Sequence, residues 1–161
     1  HFSEIKSLVF HVADPMASTN LISPKFYREF ALPYCKLLVD KIHSHDKEAT
    51  LHICGDTIKI LPAMLETGAD VLSLDQAVDL EEASRILGDR AAILGNVDPL
   101  HILKDGNAEE IERAVRSVID QAGSHPGGFI LGPGCDIPFD TPGDNPHLFV
   151  QAGKKYVQEK L

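Results

Sequence analysis

The chain has 161 residues, a formal net charge of -9 and a pI near 5.2. This length suits one domain, and 43% hydrophobic with 24% charged residues is ordinary for a globular protein. The acidic charge excludes the classes of protein that need a basic face, so we expect neither nucleic acid nor an anionic membrane as a partner. No apolar run approaches the ~18 residues that span a bilayer.

The N-terminal residues and the cysteines indicate the cellular compartment of the protein. Residues 1–4 lack the basic-then-apolar pattern of a secretory signal, and the absence of an initiator methionine indicates a piece of a longer polypeptide. Cys35, Cys54 and Cys135 are an odd number at wide spacing, which is a poor disulfide framework. In a reducing cytoplasm, scattered cysteines are packing residues, metal ligands or nucleophiles. We therefore predict a cytoplasmic protein.

The first third of the chain predicts a strand and a long helix. The strand covers residues 8–14, and Ser23-Pro24 then opens the helix with an N-cap serine and a proline at the first helical position. Pro33 predicts a kink within that helix. The apolar residues at helical spacing are Phe26, Phe30, Tyr34, Leu37, Leu38 and Ile42.

The middle of the chain predicts three strands, over residues 50–54, 71–75 and 91–97. A helix between the first two runs from Thr57, a plausible N-cap, to about residue 67. A shorter helix follows the second strand, with Asp79 as N-cap and Glu82 at the spacing of a capping box.

The last third predicts a capped helix, a strand, a loop and a final helix. Asn107 suits the N-cap of the first helix, with Glu110 three residues later, and Gly123 suits its end. The apolar stripe of this helix comprises Ile111, Ala114, Val115, Val118, Ile119 and Ala122. The strand covers residues 129–131, the loop 132–144 and the final helix about 146–159.

Five strands that alternate with helices predict an α/β fold with parallel strands and right-handed crossovers. Two architectures fit: part of a (β/α)8 TIM barrel, or an open doubly wound sheet. A whole barrel needs about 250 residues, so five βα units cannot close one, and we expect the missing strands upstream. No linker divides residues 1–161, which we take as a single domain.

Polar residues recur where each predicted strand ends, and these ends carry the chemistry in parallel α/β folds. They are Asp14, Cys54, Asp75, Asn96 to Asp98, and Cys135-Asp136. We expect them to converge on one site.

His52 and Cys54 form the sharpest motif of the sequence. Alternate strand residues share a face, so both side chains point to the inner wall. Imidazole and thiolate are typical zinc ligands, and Cys135 is the obvious third candidate. The alternative that the spacing leaves open is a buried histidine and a buried cysteine without metal.

The segment 132–138, Gly-Pro-Gly-Cys-Asp-Ile-Pro, admits three interpretations. Its glycines allow close approach to a ligand or a positive φ, or they form a tight turn beside an incidental cysteine. A phosphate cradle is the third, and Asp136 with no nearby lysine counts against it.

The remaining cysteine and histidines predict structural or solvated roles. Cys35 lies mid-helix and is expected to pack in the core. His11 is predicted to be a hydrogen-bonded core residue. The histidines of the predicted turns and helix ends are predicted to be solvated: His43, His45, His125 and His147.

Several segments together resemble the C-terminal half of the uroporphyrinogen decarboxylase superfamily, over nearly the whole chain. They are Asp14 to Ser18, Leu21 to Pro24, His52 to Gly55, Leu94 to Pro99, and Gly134 to Pro138. The true decarboxylases carry a histidine in an L-G-H-G loop, where this chain has Pro133. The zinc-binding methylcobalamin:coenzyme M methyltransferases instead have an H-x-C pair and a later cysteine, which His52, Cys54 and Cys135 match.

The resemblance implies a corrinoid-dependent methyltransferase in which His52, Cys54 and Cys135 bind zinc and an acceptor thiol takes the open position. Methylcobalamin or a corrinoid protein would supply the methyl group. Asp75 would be a displaceable fourth ligand or a capping carboxylate, and Asp14 and Asn96 would contact substrate. Two rivals stay open: a metal-free decarboxylase acting on a tetrapyrrole, and a non-catalytic module that binds a corrinoid or a partner.

Overall fold

The computed structural model describes residues 8–160, in which five parallel strands alternate with helices. The strands are β1 (Val9–Ala13), β2 (Glu48–Ile53), β3 (Val71–Leu74), β4 (Ala92–Val97) and β5 (Phe129–Pro133). The helices are α1 (Pro24–Phe26), α2 (Leu32–His43), α3 (Leu61–Leu65), α4 (Leu80–Leu87), α5 (Ala108–Ala122) and α6 (Asp144–Lys160). Short 3-10 turns cover Pro15–Ala17 and Ile58–Ile60, and π-helical segments cover Tyr27–Ala31 and Pro99–Lys104.

The strand order decides between the two predicted architectures. Each strand pairs in parallel with the next one along the chain, in the order β1-β2-β3-β4-β5. A doubly wound sheet reverses its strand order at a switch point, whereas a TIM barrel does not. The described sheet is therefore part of a barrel, with β1 and β5 as its two edges.

The core lies between the convex side of the sheet and the helices. Strand residues that face the helices are fully buried, among them Leu51, Leu72 and Ile93. Side chains on the opposite face, including His52 and Ser73, line the cavity on the inner wall. This alternation separates the residues that hold the fold from those that can meet a ligand.

Two helix starts confirm the caps predicted from the sequence. The carboxylate of Asp79 accepts a hydrogen bond from the Glu82 amide at 2.8 Å. Asn107 and Glu110 form a reciprocal capping box. Because each cap satisfies amide groups that have no partner within the helix, these positions fix where α4 and α5 begin.

The helix that the sequence predicts from Thr57 to about residue 67 is shorter in the structure. Thr57 precedes a 3-10 turn, its side chain makes no capping hydrogen bond, and α3 starts only at Leu61. Pro62 stands in the first turn of α3, where its missing N–H is tolerated. The proline therefore delays the regular helix by about one turn.

The long first helix forms, but most of its apolar stripe is not the buried one. Tyr27, Ala31, Cys35 and Val39 pack against the sheet, which confirms the packing role of Cys35. The exposed apolar residues of the predicted stripe are Phe26, Phe30, Tyr34, Leu37 and Leu38. A π-helical segment precedes Pro33, which occupies the start of α2, so the disturbance expected from the proline is local.

The prediction that His125 is solvated is wrong. The side chain is only 6% exposed. The hydroxyl of Ser84 lies 2.8 Å from Nδ1, and Nε2 lies 3.0 Å from the carbonyl oxygen of Ala91. Nε2–H therefore donates to the carbonyl, and Nδ1 accepts from the serine. The imidazole thus joins α4, the start of β4 and the turn after α5.

No helix within residues 8–160 has both the length and the apolar character needed to cross a membrane.

Candidate metal centre

β2 and the residue that follows it place two potential metal ligands on the inner wall. Leu51 and Ile53 point to the helices and are fully buried, so His52 and Cys54 face the cavity. His52 is 6% exposed and Cys54 is half-buried. The Nε2 atom of His52 lies 3.4 Å from Sγ of Cys54. The strand alternation read from the sequence therefore produces a real pair.

Ser73 of β3 orients the imidazole of His52. Nδ1 lies 3.1 Å from the Ser73 carbonyl oxygen and 3.2 Å from its hydroxyl. Nδ1–H can donate to the carbonyl, which leaves the lone pair of Nε2 directed toward Cys54. Histidines that bind metals are commonly held in this way by a hydrogen bond from the other ring nitrogen.

Cys135 reaches the pair from the loop that follows β5. Its Sγ lies 3.8 Å from Sγ of Cys54. The ligand atoms of His52, Cys54 and Cys135 all lie within 4.8 Å of one another. No other group of three such side chains is this compact in the part of the chain that the structure describes.

Gly134 allows the loop to come this close. A Cβ added at Gly134 would lie 2.4 Å from the backbone nitrogen of Gln76 and 3.1 Å from the carbonyl carbon of Asp75. The Gly134 amide also donates to the Val97 carbonyl at 2.8 Å. Of the three interpretations of this segment, the close approach of its backbone is the one that applies. The backbone approaches the turn after β3, however, and not a ligand.

The donor set fits Zn²⁺. One imidazole nitrogen and two sulfurs are ligands that zinc takes in proteins, and three protein ligands leave one position of a tetrahedron open. Burial, followed by the neighbouring Cys135, raises the pKa of Cys54 to about 11. Without a metal, Cys54 is thus a thiol at neutral pH, and it must lose its proton to become a ligand.

A cavity of about 480 Å³ opens over the cluster. Its wall comprises His11, Ala13, Pro15, His52, Cys54, Ser73, Leu94, Leu131, Gly132, Pro133, Cys135 and Asp136. A larger space of about 800 Å³ lies among β5, α5 and α6, and none of the three ligand residues lines it. The smaller cavity is therefore the one that chemistry at the cluster would use.

The prediction that His11 is a core residue is also wrong. It is an exposed residue of the cavity wall, not a hydrogen-bonded core residue. Its ring is stacked toward that of His52, with centroids 6.0 Å apart. Burial and the neighbouring His52 lower the pKa of His11, although Asp136 acts in the opposite direction.

None of the other predicted site residues, Asp14, Asp75 and Asn96, lines the cavity over the cluster. Asp75 is buried and accepts a hydrogen bond from the Ala77 amide at 2.9 Å. The amide of Asn96 donates to the carbonyls of Asp75 at 2.9 Å and Val78 at 2.8 Å. Asp14 is half-buried after β1, and its charge acts on Tyr27 and Cys35 on the helix side of the sheet. Their catalytic and substrate-binding roles stay predictions.

Sequence reasoning missed Ser73 as part of the centre. The signal was available, because Ser73 sits two residues before Asp75 on the inward face of β3, next to His52 in the strand register. A polar side chain at an inward position beside a candidate ligand is a natural second partner for a histidine.

Comparison with known proteins confirms the resemblance. A family model described as uroporphyrinogen decarboxylase (URO-D) matches residues 5–156. Methylcobamide:CoM methyltransferase MtbA of Methanosarcina acetivorans is 39% identical over 145 residues, which cover 90% of this chain and 41% of that protein. Uroporphyrinogen decarboxylase of Gloeobacter violaceus is 34% identical over 134 residues, or 83% of this chain and 38% of that protein. The chain spans about two fifths of the length of these curated relatives.

Solved structures agree with the fold. A methyltransferase from Methanosarcina mazei superposes with a TM-score of 0.81 at 29% identity, over 92% of this chain and 42% of that one. A B12-independent methionine synthase from Shewanella gives a TM-score of 0.65 at 13% identity, over 94% of this chain and 49% of that one, and so supports the fold alone. Matched by the family model over almost its whole length, the chain belongs to the uroporphyrinogen decarboxylase (URO-D) family.

Proposed function

We propose that this chain is the metal-binding part of a zinc-dependent methyltransferase that moves a methyl group from a methylated corrinoid to a thiol. The observation that carries the proposal is the cluster of His52, Cys54 and Cys135, with all ligand atoms within 4.8 Å. Similarity to methylcobamide:CoM methyltransferases supports the reaction class.

The residues of the cluster would prepare the acceptor sulfur. Bound there, Zn²⁺ would stabilise the thiolate form of an acceptor thiol and so make its sulfur nucleophilic at neutral pH. The two cysteine thiolates balance the charge of the ion, which keeps that sulfur electron-rich. In the overall reaction a sulfur–carbon bond forms, while the carbon–cobalt bond breaks and leaves its electron pair on cobalt.

Two roles stay open for Asp75, a displaceable fourth ligand before a thiol arrives or a structural carboxylate, and its oxygens are not part of the compact group of ligand atoms. The carboxylate is buried beside the cluster and acts electrostatically on Cys54. One oxygen, Oδ1, accepts from the Ala77 amide, so Oδ2 is the oxygen available. That same hydrogen bond is what a purely structural carboxylate would make at the start of a turn. Metal affinity of Asp75→Asn separates the two roles.

A decarboxylase acting on a tetrapyrrole is the second candidate, because uroporphyrinogen decarboxylases are also similar to this chain. Pro133 counts against it, since the loop of the true decarboxylases carries a histidine at this place. The metal cluster has no part in that reaction as proposed, so metal content distinguishes the two.

The test uses the complete protein that contains this chain, purified without chelator. We expect about one zinc per chain, and demethylation of methylcobalamin when a thiol is added, followed by absorbance. The thiol panel should include coenzyme M and homocysteine. A folded, metal-free protein that decarboxylates uroporphyrinogen would replace this proposal by the second candidate.

Metal binding should tighten as the pH rises. The pKa of Cys54 is raised to about 11, so this group holds a proton throughout the neutral range and releases it on binding. Loss of one proton predicts at least about a tenfold gain in affinity per pH unit between about pH 7 and pH 9. Competition with a chromophoric chelator of known pH dependence measures this. A slope of zero would contradict ligation by the Cys54 thiolate.

A further inference from the structure

The side-chain amide of Asn96 uses both of its N–H groups within the protein. Asn96 lies near the end of β4 and is only 8% exposed. Its Nδ2 donates to the carbonyl oxygen of Asp75 at 2.9 Å and to that of Val78 at 2.8 Å. An amide has two N–H groups, so neither is left for a substrate. The two acceptors are the first and last residues of the turn after β3 (residues 75–78), and Asn96 therefore holds this turn at both ends.

The turn after β3 is also the surface on which the loop with Cys135 packs. Gly134 approaches this turn so closely that an added Cβ would lie 2.4 Å from the backbone nitrogen of Gln76. The residue after Asn96, Val97, accepts a hydrogen bond from the Gly134 amide at 2.8 Å. Two consecutive residues of β4 thus bind the turn and the loop, one through its side chain and the other through its carbonyl oxygen.

We propose that Asn96 is a positioning residue of the metal centre, which keeps Cys135 within reach of Cys54 by fixing the turn after β3. The two sulfurs lie 3.8 Å apart, and this distance depends on where the loop after β5 packs. The role rests on the metal centre of the proposed function, but not on the transfer of the methyl group. Asn96 would touch neither the metal nor the thiol. A direct contact between Asn96 and the substrate is the alternative that the test has to separate.

Asn96→Asp keeps the size of the side chain and removes its donors. A carboxylate oxygen would face the two carbonyl oxygens that Nδ2 now binds, so the turn has to move and the loop that packs on it follows. Loss of a group that supports metal ligands lowers metal affinity about 10–100-fold, and we expect a loss of zinc affinity in this range. In Asn96→Ala, water can reach the carbonyls, so the loss should be near the lower end of that range.

Cross-linking of the two cysteines measures the same geometry without a metal. Dibromobimane becomes fluorescent only after both of its arms have reacted, so it reports thiols that lie close together. The metal-free complete protein should give this signal, and peptide masses should identify Cys54 and Cys135 as the linked pair. Asn96→Asp should lose most of the signal and Asn96→Ala part of it. Zinc affinity of the same proteins is measured by competition with a chromophoric chelator.

Asn145→Asp is the matched control, because Asn145 makes the same kind of contact elsewhere. It is 9% exposed, and its Nδ2 donates to the carbonyl oxygens of Leu103 at 2.9 Å, Gly106 at 3.2 Å and Lys104 at 3.5 Å. None of these acceptors belongs to the turn after β3 or to the ligand cluster. The control should lose stability in urea as Asn96→Asp does, because each change removes a buried donor from backbone carbonyls. It should nevertheless keep the wild-type zinc affinity and cross-linking signal.

Wild-type zinc affinity and cross-linking in both Asn96 variants, or equal losses in Asn145→Asp, would overturn the positioning role. A weaker affinity for the thiol with both signals unchanged would also overturn it and would identify a substrate contact. If the wild type binds no zinc while the Asn96 variants lose cross-linking, the positioning role stands and the proposed function fails. If zinc binding and demethylation of methylcobalamin are the same in wild type and variants, the proposed function stands and the positioning role fails. Should Asn96→Asp not fold, Asn96→Ala decides by the same two measurements.

Discussion

Cys54→Ser should remove zinc and methyl transfer together from the complete protein. Cys54 is the central member of the cluster, since its sulfur lies 3.4 Å from Nε2 of His52 and 3.8 Å from Sγ of Cys135. A serine hydroxyl at neutral pH is neither ionised nor soft, so the site keeps two effective ligands. Loss of a mere supporting hydrogen bond lowers metal affinity about 10–100-fold, and loss of a ligand should exceed that.

Elemental analysis and the methylcobalamin assay measure the two losses, and circular dichroism shows that the fold is kept. The matched control is Cys35→Ala, because Cys35 lies on the buried face of α2 and is not part of the group of potential metal ligands. The control should retain about one zinc per chain. Full zinc content in Cys54→Ser would contradict the ligand set, whatever its activity.

The sequence predicts the βα units well because their signals are local. Capping at Asp79 and Asn107 depends on residues within one helical turn, and both caps are present in the structure. Alternation along β2 likewise depends on neighbours only. Strand order, by contrast, depends on contacts between distant residues. The sequence therefore left two architectures open, and the pairing of consecutive strands in the structure shows that the sheet is part of a barrel.

What the sequence could not predict depends on contacts between distant segments. Helical spacing identified the first helix but not which stripe is buried, because Tyr27 and Val39 meet the sheet while Phe30 does not. His125 looked like a turn residue, and only the approach of Ser84 and Ala91 makes it a buried bridge.

The candidate site divides in the same way. His52 and Cys54 followed from strand alternation, whereas Cys135 was proposed from its place after the last predicted strand and was then supported by the family resemblance. Residues 81 positions apart come together only when the loop after β5 packs on the turn after β3. The sequence contained the glycine that permits this packing, but not the surface that it packs against.

Gly134→Ala should therefore disturb the metal centre although glycine offers no ligand. The added Cβ would lie 2.4 Å from the Gln76 nitrogen and 3.1 Å from the Asp75 carbonyl carbon, both backbone atoms that cannot rotate away. The loop has to move, and it carries Cys135 with it. Since a displacement near 1 Å at a site can cost about 100-fold in function, we expect zinc affinity and thiol-dependent demethylation to fall by about that factor.

Gly143→Ala is the matched control, because it makes the same substitution in the same loop where no atom lies within 4 Å of the added Cβ. It should bind zinc like the wild type in a competition titration.

Overpacking at Gly134 should also lower the free energy of unfolding by about 1–3 kcal/mol, measured in urea. If Gly134→Ala instead retains wild-type zinc affinity, Cys135 does not depend on the close contact between the two loops, and its place among the ligands would have to be reconsidered. The effect thus tests the packing that assembles the centre independently of its ligands.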